Sequence, residues 1–247
     1  MENHLSSFHN FDNALAEVGL LIKFANDFEK NPLEYAALNK SALLLLTAKF
    51  EVFVEDVVRE YIEEINLMNL TNLLISDQLK MKHSVTRIKE ILDIIEHPNK
   101  EEQRMEVFKE IAKLWSSKAE NFDSLNIPNK FNYGKHGSKE MEKLFKNIEI
   151  ENVFETIKLY TDQNDSMISG GEIIDLRGII NNITNQRNKI SHQDETPNIT
   201  HKEIADYASY LNRFSKELCT YLEASLLLLQ QQFDTSRQAA SGQETAI

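Results

Sequence analysis

The chain has 247 residues, enough for one large domain or two small ones and for a sizeable hydrophobic core. Hydrophobic residues make up 41% of it, which is typical of a globular protein rather than a disordered one. Its formal net charge is −12, whereas nucleic-acid-binding proteins are usually basic. Binding to nucleic acid would therefore have to depend on a local basic patch, a partner's charge or transient contact.

Glycine and proline are scarce, with 7 and 4 residues, which favours a few long helices over many short elements. No window approaches 18 uncharged apolar residues, so we expect no membrane-spanning helix. The first residues carry acids and no basic segment, unlike a secretory signal. The single cysteine, Cys219, forms no internal disulfide and suits a reducing compartment, so we expect a cytoplasmic location.

Helical spacing of apolar residues predicts the elements in chain order. Four helices are expected over residues 5–30, 33–68, 76–97 and 99–118. After an irregular stretch, further helices are expected over 138–148, 151–160, 171–192 and from Thr200 to about Gln232. Thr200 and Glu203 have the spacing of a capping box. The pattern predicts an all-α bundle of about seven to eight helices, with residues 1–232 as one domain and 233–247 as a flexible tail.

The helix predicted over residues 171–192 carries a continuous apolar row with an arginine inside it. The row follows helical spacing and consists of Ile173, Leu176, Ile180, Ile183, Arg187 and Ile190. Beside it runs a polar row of Asn181, Asn185, Asn188 and His192. His192 falls in the last turn, and an imidazole suits proton transfer near neutral pH. Arg187 needs an anionic partner, and its identity bears on the function.

Glu51 is a candidate internal partner for Arg187. It is surrounded by apolar neighbours on the helix predicted over 33–68, so we expect a partly buried carboxylate that needs compensation. In that structural interpretation Arg187 is an ion-pair partner and His192 merely ends its helix. In the functional interpretation the same cluster of Arg187, Asn188 and His192 binds an anionic ligand.

Residues 124–139 contain no acid, although the chain is rich in acids. Basic and aromatic side chains alternate in this segment, as in surfaces that contact a nucleic-acid backbone and stack its bases. The candidate RNA-binding residues are Lys130, Phe131, Tyr133, Lys135, His136 and Lys139, together with Lys189 beside the arginine motif. The alternative is an ordinary surface loop with its aromatic rings packed beneath it.

The segment RNKISH, residues 187–192, matches the R-x4-H motif of HEPN domains, including the polar residue after the arginine. LLLLTAKFEVFVEDVVREYI, FNYGKHGSKEMEKLFKNIEIENVFETI and ITHKEIADYASYLNRFSKEL resemble the corresponding parts of the RiboL-PSP-HEPN-like branch. The resemblance covers roughly residues 35–230. One difference is Gln193, where many family members have glycine after the histidine.

This resemblance implies a HEPN-like fold and a two-fold homodimer formed through the motif helix. It also implies a metal-independent endoribonuclease without a cofactor, in which the ribose 2′-hydroxyl attacks the adjacent phosphate. His192 would be the general base or acid, and Arg187 would hold the phosphate. Asn188 would orient His192 or the scissile phosphate. The expected setting is a toxin or an antiviral-defence effector controlled by a partner protein, such as an antitoxin or a defence-system subunit.

A second hypothesis belongs to a different class. The chain could be a non-catalytic helical interaction module in which the R-x4-H cluster only stabilises a dimer. No competing enzymatic motif is present: the seven histidines are scattered, and no H-x3-H, H-E-x-x-H, G-x-S-x-G or phosphate-binding glycine loop occurs.

Overall fold

The computed structural model describes residues 5–132, 136–161, 171–193 and 199–244, with the backbone alone beyond residue 238. Within these residues it contains eight α-helices and no β-strand longer than an isolated bridge. The helices are α1 (Ser6–Asp27), α2 (Pro32–Leu67), α3 (Asp77–Asp93), α4 (Glu101–Leu114), α5 (Ser138–Lys146), α6 (Val153–Thr156), α7 (Leu176–Gln193) and α8 (His201–Glu244). The all-α prediction is confirmed.

The long helix α2 lies at the centre and packs against α1, α5, α7 and α8. It buries one broad face, whose residues recur at helical spacing from Ala42 to Ile65. One hydrophobic cluster extends from Leu5 to Leu226 along the sequence. Helices α2 and α8, from the early and late parts of the chain, pack against one another.

Helix starts follow the capping signals in the sequence. The hydroxyl of Ser76 accepts a hydrogen bond from the Leu79 N–H, at 3.2 Å, and opens α3. The carboxylate of Glu203 accepts bonds from both the N–H and the hydroxyl of Thr200, each at 2.8 Å. The Glu203 N–H donates back to the Thr200 hydroxyl at 3.2 Å, so the predicted capping box is formed.

The motif helix starts five residues later than the predicted position 171. The carboxylate of Asp175 accepts a hydrogen bond from the Gly178 N–H at 2.9 Å, as a capping residue does, and the helix begins at Leu176. Ile173 therefore lies outside α7, forms an isolated bridge with Tyr160 and is 59% exposed. The apolar row thus begins at Leu176.

Residues 233–244 continue α8, although the sequence assigns them to a flexible tail beginning at 233. The continuation has a physical reason, since no glycine or proline interrupts the chain before Gly242. Contacts one turn apart also support it: Gln230 bonds Asp234 at 3.1 Å, and the Arg237 guanidinium lies 5.6 Å from the ring centre of Phe233. Residues 245–247 lie outside the described residues. That residues 1–232 form one domain stays a prediction.

Candidate active site on the exposed face of α7

Helix α7 buries one face and leaves the next face open. Leu176, Ile180, Ile183 and Ile190 are each no more than 9% exposed, and the helix packs against α2, α5 and α8. Arg187 occupies the same row, but its side chain keeps 26% of its surface exposed. The guanidinium therefore leaves the apolar seam and reaches the boundary between the core and solvent.

The guanidinium of Arg187 has two contacts within the described residues. Nη1 donates to Oδ1 of Asn188 at 3.0 Å, and Nη2 lies 3.4 Å from Oε2 of Glu51 on α2. Arginine carries five N–H donors, so these contacts leave donors for another acceptor. The contact with Asn188 directs the guanidinium toward the polar row, while the contact with Glu51 connects it to the core helix.

Glu51 also faces a histidine. Its Oε1 atom lies 3.4 Å from Nδ1 of His136, within ion-pair distance, although neither of these buried atoms makes a hydrogen bond. Burial raises the pKa of the Glu51 carboxyl above its ordinary value, and the nearby Glu55 raises it further. His136 and Arg187 oppose this rise without cancelling it. Glu51 therefore connects the arginine of α7 to the segment that carries His136.

The acid-free segment is attached to α2 at two points, one on each side of residues 133–135. The Phe131 N–H donates to Oε1 of Glu55 at 2.8 Å, and Glu51 faces His136 one helical turn earlier. The Phe131 ring lies 5.4 Å from the His136 ring and packs against the core. Lys130 and Lys139 are exposed. Tyr133 and Lys135 lie outside the described residues.

Asn181, the first member of the predicted polar row, has a local structural contact. Its Oδ1 atom accepts hydrogen bonds from the N–H and the hydroxyl of Ser138, at 3.1 and 2.8 Å, at the start of α5. Gly137 precedes Ser138 with φ = 109°, a conformation that favours glycine. A Cβ atom there would lie 3.4 Å from the same Asn181 oxygen. This turn fixes the end of the acid-free segment against α7.

The rest of the polar row lines a shallow open depression of about 460 Å³. Its walls are Asn182, Asn185, Gln186, Asn188, Lys189, His192 and Gln193. None of these side chains is acidic, in a chain whose net charge is −12. His192 is exposed in the last turn of α7. The depression thus combines amide groups, an imidazole and an ammonium, with the Arg187 guanidinium bonded to one wall residue, Asn188.

Two lysines missed by the sequence analysis lie near the acid-free segment. Lys82 and Lys89 on α3 line a groove of about 250 Å³ together with Lys130 and Phe131. Their separation of seven residues places them on one helix face, and this spacing could have identified them as a pair. Their proximity to Lys130 depends on how α3 packs against the segment, which the sequence pattern does not reveal.

The described part of the chain holds neither a cluster of metal ligands nor a membrane-spanning helix. There, no group of three or more histidine, cysteine, aspartate or glutamate residues could hold a metal ion. None of the helices found there has both the length and the apolar character needed to cross a bilayer.

The fold and the placement of the motif define a class: an all-α domain with an R-x4-H sequence at the end of a core helix. Comparison with family models gives the family itself, since the RiboL-PSP-HEPN model matches residues 9–224. The chain belongs to this family, as the motif predicted. No curated protein and no solved structure matches the chain.

Proposed function

We propose that the chain is a metal-independent endoribonuclease, in which a ribose 2′-hydroxyl of the RNA attacks the adjacent phosphate. One observation carries the proposal most directly: the depression around Asn188 and His192, whose described lining holds no acid and to whose wall the Arg187 guanidinium is bonded. An anionic phosphate fits such a site, because the local groups are cationic or hydrogen-bonding in spite of the acidic chain. Membership of the HEPN family supports the same reaction class.

The reaction needs proton transfers and stabilisation of charge on phosphorus. A base takes the proton of the 2′-hydroxyl, a bond forms between O2′ and phosphorus, and the bond from phosphorus to O5′ breaks as O5′ receives a proton. The products are a 2′,3′-cyclic phosphate and a 5′-hydroxyl end. His192 is proposed as the base or the acid, since an imidazole can accept a proton or donate one.

Arg187 is proposed to hold the phosphate, because a planar guanidinium can grip two phosphate oxygens and stabilise developing charge. Asn188 is proposed to orient this grip through its 3.0 Å hydrogen bond. Glu51 is proposed as a positioning residue, since its carboxylate lies behind the guanidinium, on the side of the core helix. The contact with Glu51 leaves other N–H groups of the Arg187 guanidinium free to donate to a phosphate.

A two-fold homodimer through α7 completes the proposal. Asn185, Lys189 and His192 are exposed on one side of this helix in the single chain. Pairing two copies of α7 would bring two R-x4-H motifs to one cleft, which is how the family resemblance implies that HEPN nucleases work. An RNA phosphate would then offset the positive charge that the two motifs bring together.

The proposed biological role is that of a toxin or an antiviral-defence effector in the cytoplasm. A partner protein, an antitoxin or another defence-system subunit, would control the nuclease. The net charge of −12 supports docking on a basic partner, since complementary charge promotes and orients association.

The contact between Arg187 and Glu51 also favours the second candidate, a non-catalytic interaction module. In that case the carboxylate is the main partner of the guanidinium, and the R-x4-H cluster only supports a dimer interface. The two candidates differ in a simple observation: a nuclease produces new 5′-hydroxyl ends in RNA, and an interaction module does not.

The test is incubation of the purified full chain with total cellular RNA, with and without the product of the neighbouring gene. New 5′-hydroxyl ends are mapped by sequencing before and after addition of the protein. The proposed nuclease produces them in at least one of the two conditions. Their absence from both conditions favours the interaction module.

A further inference from the structure

A groove lined by lysines lies between α3, α5 and the segment 128–132. Its lining includes Lys82, Lys89, Lys130 and Lys143, against one acid, Glu140. Glu140 and Lys143 pair with one another at 2.7 Å. Lys89 and Lys130 form no ion pair with a carboxylate among the described residues, while Lys82 acts electrostatically on Glu151, whose closer partner is Lys146. The groove is therefore locally cationic within an acidic chain.

Apolar side chains form part of the groove lining. Val85, Phe131, Pro128 and Leu144 contribute to its lining, and Val85 is 42% exposed. Apolar surface beside cationic side chains suits a single nucleic-acid strand, whose bases cover apolar surface while its phosphates meet ammonium groups. An acidic protein segment would match the lysines but would make less use of the apolar part of the lining.

The groove connects to the R-x4-H motif through side chains in contact. Phe131 lines the groove, and its ring lies 5.4 Å from His136. His136 faces Glu51 at 3.4 Å, and Glu51 faces Arg187 at the same distance. A short series of side chains thus joins the groove to the Arg187 guanidinium, so a strand held in the groove would lie near the motif.

We propose that this groove is a second RNA-binding surface, which holds the strand beside the point of cleavage through Lys82, Lys89 and Lys130. The proposal rests on the proposed nuclease function and adds the path of its substrate. Lys82 and Lys89 lie about 10 Å apart along α3, since seven residues at 1.5 Å each separate them. They would contact different phosphates of one strand.

The test measures the binding of a fluorescein-labelled 2′-O-methyl uridine dodecamer by fluorescence anisotropy at several salt concentrations. This probe lacks the 2′-hydroxyl, so the proposed reaction does not consume it. The double variant K82Q/K89Q removes two charges, and K23Q/K30Q is the matched control. Lys23 and Lys30 are also seven residues apart and exposed, but they lie at the end of α1 and just after it.

Each phosphate contact to a single strand contributes about 0.7 to the slope of log affinity against log salt. Loss of two contacts should flatten the slope by about 1.4, which weakens binding roughly 25-fold at 0.1 M salt if affinities converge at 1 M. The control should retain the slope and the affinity of the wild-type chain. Cleavage of an unmodified uridine dodecamer is measured in parallel with the wild-type chain.

Two results would overturn the groove proposal while leaving the nuclease in place. In one, the wild-type chain cleaves RNA and K82Q/K89Q binds the probe as tightly as the wild-type chain, which leaves the groove to a different partner. In the other, the control loses as much affinity as K82Q/K89Q, which indicates a general charge effect. A wild-type chain that neither binds the probe nor cleaves RNA would overturn both proposals together.

Discussion

Glu51 on α2 lies 3.4 Å from the Arg187 guanidinium on α7, although 136 residues separate the two in sequence. The same carboxylate lies 3.4 Å from His136, so one partly buried acid faces two basic side chains. A partly buried carboxylate destabilises the fold when the cost of removing its charge from water exceeds the gain from its ion pairs. Because Glu51 also lies beside the candidate active site, we expect its replacement to affect stability and RNA cleavage in opposite directions.

Glu51→Gln should stabilise the fold above acidic pH. Burial raises the pKa of Glu51 despite the opposing effects of His136 and Arg187, so the folded protein binds this proton more tightly than the unfolded chain does. The Glu51 contribution to stability therefore falls as pH rises from its ordinary pKa of 4.5 through the higher folded-state pKa. Urea denaturation at several pH values should show the variant gaining stability over the wild-type chain across this range.

The gain should be absent below the ordinary pKa, where Glu51 is neutral in both states. The same variant should lose RNA cleavage, since Arg187 and His136 would lose the carboxylate that positions them. A variant that is less stable than the wild-type chain at neutral pH would show that the ion pairs outweigh the cost of burial.

Arg187→Ala should abolish cleavage and reduce stability. Loss of one group that stabilises the transition state lowers the rate by about 10²-fold or more. The substitution also leaves Glu51 without its guanidinium partner, which should cost about 1–3 kcal/mol. Arg187→Lys keeps a positive charge but should not restore cleavage, because an ammonium cannot grip two phosphate oxygens. Cleavage rates and urea denaturation of both variants check this; a fully active lysine variant would contradict the proposed phosphate grip.

The chain should be a homodimer at micromolar concentration, paired through α7. Asn185→Arg on the exposed side of this helix should produce monomers, because the two-fold axis would bring the new charges toward each other. Asn26→Arg, an exposed asparagine on α1, is the matched control and should leave the dimer intact. Light scattering measures the mass of each variant. A monomeric wild-type chain would contradict the proposed arrangement.

Changing Lys130, Lys135 and Lys139 together to glutamate should weaken RNA binding and flatten its salt dependence. Lys130 and Lys139 are exposed in the acid-free segment, where they can reach a phosphate backbone. Anisotropy of a labelled single-stranded RNA at several salt concentrations is the measurement. If binding and salt slope both stay at their wild-type values, the segment is an ordinary surface loop.

Much of the fold could be predicted from the sequence, because capping residues and the spacing of apolar residues act within a single helix. The start of α2 agrees with Asn31-Pro32, and Ser76 and the Thr200–Glu203 pair mark their helices correctly. The helix predicted over 151–160 is shorter, since α6 spans only Val153–Thr156. Two further errors fall where a local bond or its absence decides a helix end. Asp175 caps α7 later than predicted, and nothing stops α8 near Gln232.

The candidate site was only partly predictable, since its parts come from distant segments. The apolar row indicated that Arg187 needs a partner, and the structure places Glu51 beside it, as the structural interpretation anticipated. The contact of Glu51 with His136 and the position of Lys82 beside Lys130 depend on helix packing. No spacing in the sequence encodes such packing. The functional roles of these residues stay predictions.

His192→Ala offers the most direct test of the proposed chemistry, with cleavage of a defined RNA and identification of its new ends as the measurement. The wild-type chain should leave 2′,3′-cyclic phosphate ends and retain activity in EDTA, since the proposed reaction uses only the ribose hydroxyl, an imidazole and a guanidinium. The exposed His192 contributes little to the core, so the variant should fold and dimerise normally while losing about 10²- to 10⁴-fold in rate. His97→Ala, at another exposed histidine, should cleave like the wild-type chain. Wild-type activity in His192→Ala, or loss of wild-type cleavage in EDTA, would contradict the proposed nuclease.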